Sequence, residues 1–275
     1  MRVAVVGLGA IGHHIAHVLE GRCELVRVDR TRAPLRDGEP AVDAVVITTK
    51  TPGTAWAAEA AARLLGPEGV ALTIQNGLGN HEILVAKLGA QRVALGVIYV
   101  GAGWRADGTH YTTGPGKIEA GRPAAAGPGR NLDALAGLLR AGGVEVSIVG
   151  DPWRAVWRKL VVNAVLNPTS ALFDATYGEI IRDSARELLC DAVARESARV
   201  VSAAGFAVSE DEAMAGWRAL ARAMDGHRSS MHADVAARRP TEIEAINGAL
   251  AREAARRGLR APLNQALCVL VSALG

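Results

Sequence analysis

The chain has 275 residues, of which 49% are hydrophobic, and its formal net charge at pH 7 is +3. This composition excludes disorder of the whole chain, and the length allows one large domain or two ordinary ones. The chain has no long basic run interleaved with aromatic residues, so we expect no nucleic acid partner.

The first half of the chain alternates short apolar runs with helical patterns. Strands are predicted at residues 2–8, 24–28, 43–49, 70–74, 93–100 and 144–149. Helices are predicted to begin near Ala10, Pro52, Asn80 and Asn131. The segment "YTTGPGKIEAG" is predicted to be extended or to form a hairpin. Strands that alternate with helices indicate a mostly parallel sheet.

The pattern changes at "GDPWRAV", where Asp151 can cap a helix that Pro152 begins. No convincing strand follows. Capping-box patterns are present at Ser209 with Glu212 and at Thr241 with Glu244, and glycines 205, 226 and 258 are predicted to end helices. We therefore predict an α/β chain with a parallel-sheet domain over 1–150 and an all-helical domain over 151–275.

A glycine pattern lies between the first strand and the first helix. Gly7, Gly9 and Gly12 form G-x-G-x-x-G, in which the glycines permit a tight turn, close approach of a pyrophosphate and close packing of helix on strand. The helix N-terminus also favours an anion. The pattern predicts a Rossmann-like domain that binds a dinucleotide, and the alternative is a purely structural turn. The cofactor-binding candidates are Gly7, Leu8, Gly9, Ala10, Ile11 and Gly12.

The end of the second strand bears on the choice of cofactor. An acidic residue there suits the ribose of NAD, whereas an arginine suits the phosphate of NADP. This chain has both, in Asp29 and Arg30, with Arg32 nearby, and two cations favour NADP over NAD. The alternative is a solvated charged turn. Residues 31–42 are too short and too rich in proline and glycine for a crossover helix, so we predict a loop.

Two further candidates follow strands. Lys50 follows "DAVVITT" and Asn76 follows "ALTIQ". Ligands of open α/β sheets bind outside the carboxyl ends of the strands, so both side chains could face a nicotinamide or a substrate. The alternatives are a surface lysine at a helix entry and an ordinary turn at Asn76-Gly77.

A polar row interrupts the otherwise apolar helix "WRKLVVNAVLNPTSAL". Lys159, Asn163 and Asn167 are four residues apart and therefore share one face. A buried ammonium without a partner would be costly, so we expect the row to line a cleft between the two domains. There the lysine could protonate a ketone oxygen while the amides bind a carboxylate or hydroxyl. The alternative is a structural network.

Other polar residues are weaker candidates. Ser230 is a hydroxyl donor and acceptor, and Glu242 would lie in the first turn after a Thr241 cap, which is by itself a sufficient structural reason for a glutamate. His13, His14 and His17 share the first helix, but no carboxylate or cysteine completes a metal site. We predict that they are surface or packing residues and that the protein binds no metal.

The compartment is predicted from what the sequence does not contain. Cys23, Cys190 and Cys268 lie far apart and form no disulfide or zinc pattern. No segment approaches the ~20 apolar residues of a membrane helix, and the start "MRVAVVGLG" has no leader. We therefore expect a cytoplasmic protein without a membrane partner.

The motifs in order resemble those of the ketopantoate reductase (2-dehydropantoate 2-reductase) family. The matching segments are "GLGAIG", "VITTKT", "QNGLGN", "TTGPGKIEAG", "WRKLVVNAVLNPTSAL" and "SSMHADVAARRPTEIEAINGAL". The last two are specific, whereas the first is shared by many dehydrogenases. The shortened segment after Arg30 departs from the family pattern.

The resemblance implies NADPH-dependent reduction of a 2-keto acid, 2-dehydropantoate, to pantoate. It implies that Lys159 is the general acid, that Asn163, Asn167, Ser230 and Glu242 position the substrate, and that Glu242 also assists the lysine. It places Lys50 and Asn76 beside the nicotinamide and substrate, supports Arg30 as a determinant of NADP, and makes a homodimer possible. The alternatives are a relative that reduces another 2-keto acid, ketone or imine, and a protein that binds NADP without catalysis.

Overall fold

The computed structural model describes residues 1–31, 40–105, 107–124 and 129–274. The chain divides into two compact units. The first comprises Met1–Gln75 and Gly79–Ala155, and the second comprises Asn76–Leu78 and Val156–Gly275. The short segment Asn76–Leu78 therefore belongs with the helical part of the chain, although it follows a strand of the sheet.

The first unit is built on a mixed, mostly parallel sheet. Its strands are β1 (Arg2–Val6), β2 (Glu24–Val28), β3 (Val42–Ile47), β4 (Leu65–Thr73), β5 (Val93–Tyr99), β6 (Ala102–Trp104), β7 (His110–Thr112), β8 (Lys117–Gly121) and β9 (Glu145–Ile148). Seven of them form one sheet in the order β2-β1-β3-β4-β5-β8-β9, in which only the β5–β8 pair is antiparallel. The predicted Rossmann-like sheet is confirmed.

Four helices cover the two faces of this sheet. They are α1 (Ala10–Leu19), α2 (Thr54–Leu64), α3 (Asn80–Leu88) and α4 (Arg130–Ala141). Successive side chains of β1 point to opposite faces, so Val3 and Val5 pack with α1 and α4, whereas Ala4 and Val6 pack with α2 and α3. Burial on both faces explains why the strands are continuous apolar runs.

The segment "YTTGPGKIEAG" is extended, which is one of the two forms predicted for it, and its two strands do not pair with each other. Strand β7 pairs with β6 in a separate two-stranded sheet, whereas β8 joins the main sheet between β5 and β9. Gly114 and Gly116 both have positive φ, at 146° and 87°, and the chain changes sheets between them. Most of the loop predicted at 31–42, together with Arg32, lies outside the described residues.

The second unit is helical, as predicted. Its helices are α5 (Trp153–Leu172), α6 (Tyr177–Arg182), α7 (Ser184–Ala203), α8 (Glu210–Ala223), α9 (Ser230–Ala236), α10 (Ile243–Arg256) and α11 (Pro262–Ser272). Helix α5 begins just ahead of this unit, where Asp151 Oδ1 accepts a hydrogen bond from the Trp153 amide at 3.0 Å. Within the described ranges, no helix is both long and apolar enough to span a bilayer.

One of the two predicted capping boxes is present. Ser209 and Glu212 form it at the start of α8. The box predicted at Thr241 and Glu244 is wrong, because α10 begins at Ile243 with Glu242 as its N-cap residue. Glu244 is then one position too early to reach back, and it pairs instead with Arg252 at 3.0 Å.

Candidate active site

The glycine-rich loop between β1 and α1 is shaped by close packing. Gly7 has a φ of 100°, and a Cβ there would lie 2.6 Å from the Thr49 backbone nitrogen. A Cβ on Gly12 would lie 1.8 Å from the Gly7 carbonyl oxygen. Gly9 differs, because a Cβ would meet nothing within 4 Å. The chain therefore leaves open space beside Gly9 at the N-terminus of α1, where the first-turn amides have no helical acceptor.

At the end of β2, the two charges of opposite sign have different surroundings. Asp29 Oδ1 accepts hydrogen bonds from the amide of Thr31 at 2.8 Å and from its hydroxyl at 2.6 Å. Arg30 is exposed, and its Cζ lies 6.0 Å from the centroid of the Trp56 ring. The Arg30 guanidinium is thus exposed to an incoming anion, whereas the Asp29 carboxylate accepts hydrogen bonds from its own turn.

A polar network that the sequence interpretation missed holds the carboxyl ends of β3 and β4. Gln75 Nε2 donates to the Thr49 carbonyl and to the Thr54 hydroxyl, both at 2.8 Å, and that hydroxyl donates to Asn80 Oδ1 at 2.8 Å. The network supports the turn in which Lys50, itself exposed, is the N-cap residue. A glutamine at a strand end is too common a pattern to have identified it.

The Asn76-Gly77 turn is tied to the start of α10. Asn76 Nδ2 donates to Glu242 Oε2 at 3.4 Å, and the Leu78 amide donates to the Ala245 carbonyl at 2.9 Å. Gly77 has a φ of 81°, and a Cβ there would lie 2.6 Å from the Ala245 oxygen. Glycine is therefore required by this docking, and Asn76 is held beside a carboxylate of the second unit.

The polar row on α5 contains an electrostatically perturbed lysine. Lys159 is half-buried, and removal from water lowers the pKa of its ammonium to about 8, while the negative charge of Glu242 acts in the opposite direction. Asn163 is half-buried and Asn167 is buried. Neither amide side chain forms a hydrogen bond within the described part of the chain, so both can serve a ligand.

The second serine of "SSM" has a different environment from the first. Ser229 is buried, and its hydroxyl accepts from the His232 amide at 3.0 Å and donates to the Asn167 carbonyl at 3.1 Å. Ser230 is exposed at the first position of α9. The structure thus brings Asn76, Glu242 and Lys159 together, through a hydrogen bond and a charge interaction, whereas no hydrogen bond joins Ser230 to them among the described residues.

Two of the three histidines of α1 form hydrogen bonds. His13 Nδ1 donates to the Leu8 carbonyl, and the buried His14 donates through Nε2 to the Pro115 carbonyl, both at 2.9 Å. Burial lowers the pKa of His14. The side chain of His17 is largely exposed. No cluster of three or more potential metal ligands is found in the residues that the structure describes.

Comparison with known proteins identifies the family. A glycine-rich turn between the first strand of a parallel sheet and the following helix is typical of dinucleotide-binding domains. The ketopantoate reductase PanE/ApbA family model matches residues 33–125, and its C-terminal model matches residues 151–275. The 2-dehydropantoate 2-reductase of Halobacterium salinarum is 32% identical over 98% of this chain and 90% of its own length. The chain belongs to the ketopantoate reductase family.

Solved structures share the fold. A PanE/ApbA family ketopantoate reductase from Ralstonia eutropha JMP134 is 27% identical, with a TM-score of 0.84 over 100% of this chain and 98% of its own. D-mandelate dehydrogenase in complex with NADH and anilino(oxo)acetate has a TM-score of 0.89 at 21% identity, covering 100% of this chain and 98% of its own. The second likeness extends to the fold alone.

The perturbed lysine predicts a pH titration that does not depend on any activity. We expect the acetylation rate of Lys159, followed by mass spectrometry, to rise with a midpoint near pH 8, since only the neutral amine reacts. Glu242→Gln removes the charge that favours the ammonium, so the pKa and the midpoint should move to lower pH. Glu244→Gln, on the same helix but paired with Arg252, is the control. An unchanged midpoint in Glu242→Gln would contradict the coupling.

Proposed function

We propose that this protein reduces 2-dehydropantoate to pantoate with NADPH, and that Lys159 is the general acid. The observation that carries the proposal is a half-buried lysine with a pKa of about 8, placed on one helical face with two amides that have no partner in the described part of the chain. Membership of the family and the name of the Halobacterium relative support this choice of substrate.

The chain's own residues supply the proton and the binding groups. NADPH, when bound, supplies the hydride that is added to the ketone carbon. Lys159 donates its proton to the ketone oxygen as negative charge develops there, and a pKa near the working pH suits both holding and releasing that proton. Asn163 and Asn167 donate to the substrate's carboxylate or hydroxyl, together with Ser230. Glu242, held by Asn76, keeps the lysine protonated.

The cofactor is bound, in this proposal, by the edge of the sheet. The backbone of residues 7–12 holds the pyrophosphate in the space left at Gly9. Arg30 binds the 2′-phosphate of NADP, because the nearby Asp29 carboxylate already accepts two hydrogen bonds from Thr31. Lys50, at the end of β3, lies beside the nicotinamide half.

Removal of the proposed acid should separate chemistry from cofactor binding. We expect Lys159→Ala to lower kcat for ketoacid reduction by roughly 10²-fold or more, the usual scale for an assisted proton transfer, with the Kd for NADPH unchanged. Lys87→Ala, which removes a surface lysine paired with Glu59, is the matched control. Near-wild-type turnover of Lys159→Ala would exclude it as the acid.

Replacement of Arg30 tests the cofactor preference. A charge-assisted contact to phosphate is lost, so Arg30→Ala should raise KM for NADPH by about 10-fold to 100-fold and change KM for NADH much less. Arg27→Ala, on β2 three residues before Arg30 and paired with Glu20, should leave both constants unchanged. Equal losses with the two cofactors would show that Arg30 does not select the phosphate.

A relative that acts on another 2-keto acid is the second candidate, because a lysine and two amides on one face of α5 would serve any ketone with an adjacent carboxylate. We expect kcat/KM in NADPH oxidation to be higher for 2-dehydropantoate than for phenylglyoxylate or other 2-keto acids. The reverse order would favour the second candidate. Binding of NADPH without turnover of any ketoacid would instead support a non-catalytic protein.

We also propose that the protein forms a homodimer. Val269 and Leu270 of α11 are 71% and 52% exposed, and exposed apolar patches on stable proteins often mark an interface. Sedimentation velocity measures the mass directly, and a monomer at micromolar concentration would reject this assembly.

A further inference from the structure

Helix α5 contains a proline in its interior. Pro168 has no amide hydrogen, so the carbonyl of Ala164, four residues earlier, loses its regular helical donor. Ala164 is fully buried. A buried carbonyl without a donor is destabilising, so this position requires a hydrogen bond from elsewhere in the fold.

That donor comes from α10. The Asn247 side chain, also fully buried, donates from Nδ2 to the Ala164 carbonyl at 2.9 Å. The same nitrogen donates to Asn264 Oδ1, again at 2.9 Å. Asn247 Oδ1 is buried without a partner in the residues that the structure describes. The Asn247 side chain thus acts only as a hydrogen-bond donor among these residues.

A buried carboxylate fixes the direction of these bonds. Glu196 accepts the amide N–H of Asn264 at 2.8 Å and its Nδ2 at 2.9 Å. Since the carboxylate only accepts, Asn264 must turn its Oδ1 toward Asn247. Asn247 must then present N–H to both Asn264 and Ala164. Glu196 therefore fixes the donor direction of the whole chain of hydrogen bonds, which ends at the Ala164 carbonyl that Pro168 has left without its helical donor.

The position of this bond concerns the proposed site directly. Ala164 is the residue after Asn163, and it lies one turn beyond Leu160, the neighbour of Lys159. Asn247 is on the same helix that Glu242 begins. One hydrogen bond thus joins the helix that carries the lysine and amides to the helix that carries the carboxylate.

We propose that Asn247 is a positioning residue of the reductase site: it replaces the helical donor that Pro168 removes and so sets α5 against α10. The catalytic consequence of this inference rests on the proposed function. The pairing of Asn247 with Pro168, by which the asparagine replaces the donor that the proline lacks, does not depend on that function. Both residues lie in the second unit.

A double-mutant cycle tests the pairing. Asn247→Leu removes the donor at similar volume and leaves two buried acceptors, the Ala164 carbonyl and Asn264 Oδ1, without it. We expect it to lower Tm by about 3–8 °C, the scale for buried polar groups left unpaired. Pro168→Ala restores the amide at 168, which can then donate to Ala164. In that background only Asn264 Oδ1 loses its donor, so Asn247→Leu should lower Tm by a clearly smaller amount. Equal costs in both backgrounds would overturn the pairing, whether or not the protein is a reductase.

Kinetics test the positioning role. With 2-dehydropantoate at a temperature well below Tm, Asn247→Leu should lower kcat by about 10-fold to 100-fold, since small misplacements of reacting groups are costly, while KM for NADPH stays the same. Adding Pro168→Ala should restore a large part of kcat. A fall in Tm with unchanged kcat would overturn the positioning role and leave only a structural one.

A matched control lies one residue further along α5. The Thr169 hydroxyl donates to the Val165 carbonyl at 2.6 Å, but that carbonyl also has the Thr169 amide as its regular helical donor. Thr169→Val should therefore change kcat little and show no coupling with Pro168→Ala. Coupling as strong as that of Asn247 would contradict the specific role of the Ala164 carbonyl. Absence of ketoacid turnover in the wild type would reject the proposed function, while the Tm cycle would still decide the pairing.

Discussion

The withdrawal of one ammonium group from water is the constraint around which the helical unit is arranged. Lowering the pKa of Lys159 from 10.5 to about 8 corresponds to roughly 3 kcal/mol that the folded chain forgoes at neutral pH. A structure that only needed to be stable would place an apolar residue there. That figure is what remains after the nearby charge of Glu242 has offset part of the desolvation, and Glu242 in turn accepts a hydrogen bond from Asn76.

The two units fix the geometry of their candidate site residues by different means. In the first, backbone geometry dominates, because Gly7 and Gly12 pack so closely that side chains are excluded. In the second, side-chain hydrogen bonds dominate, and they converge on α5 from several directions: Ser229 on the Asn167 carbonyl and Asn247 on the Ala164 carbonyl. Fixed backbone geometry suits phosphate recognition, since amides recognise an anion of fixed shape. Side-chain hydrogen bonds suit proton transfer, because they set the direction and the charge of the reacting groups.

Local periodicity accounts for what could be predicted from the sequence. The strands, most of the helix starts, the glycine-rich loop and the polar row on α5 all follow from spacing within a few residues of each other. The errors and the alternatives left open arose where a distant partner decided the outcome. The pairing of β7 and β8 depends on which sheet each can reach, and the start of α10 is decided by packing that no four-residue motif encodes. Gln75 and Asn247 were missed for the same reason, since their partners are distant in the sequence and are backbone carbonyls or common polar side chains.

The consecutive hydroxyls of Ser229 and Ser230 illustrate how one residue of register separates structure from chemistry. The inner one is committed to holding α9 against α5, and the outer one is available to solvent. A deletion of a single amino acid ahead of α9 would place Ser230 in the inner position and Met231 in the outer one without changing the number of serines. Comparisons between homologues at this point therefore need the helix start, rather than residue identity, as their reference.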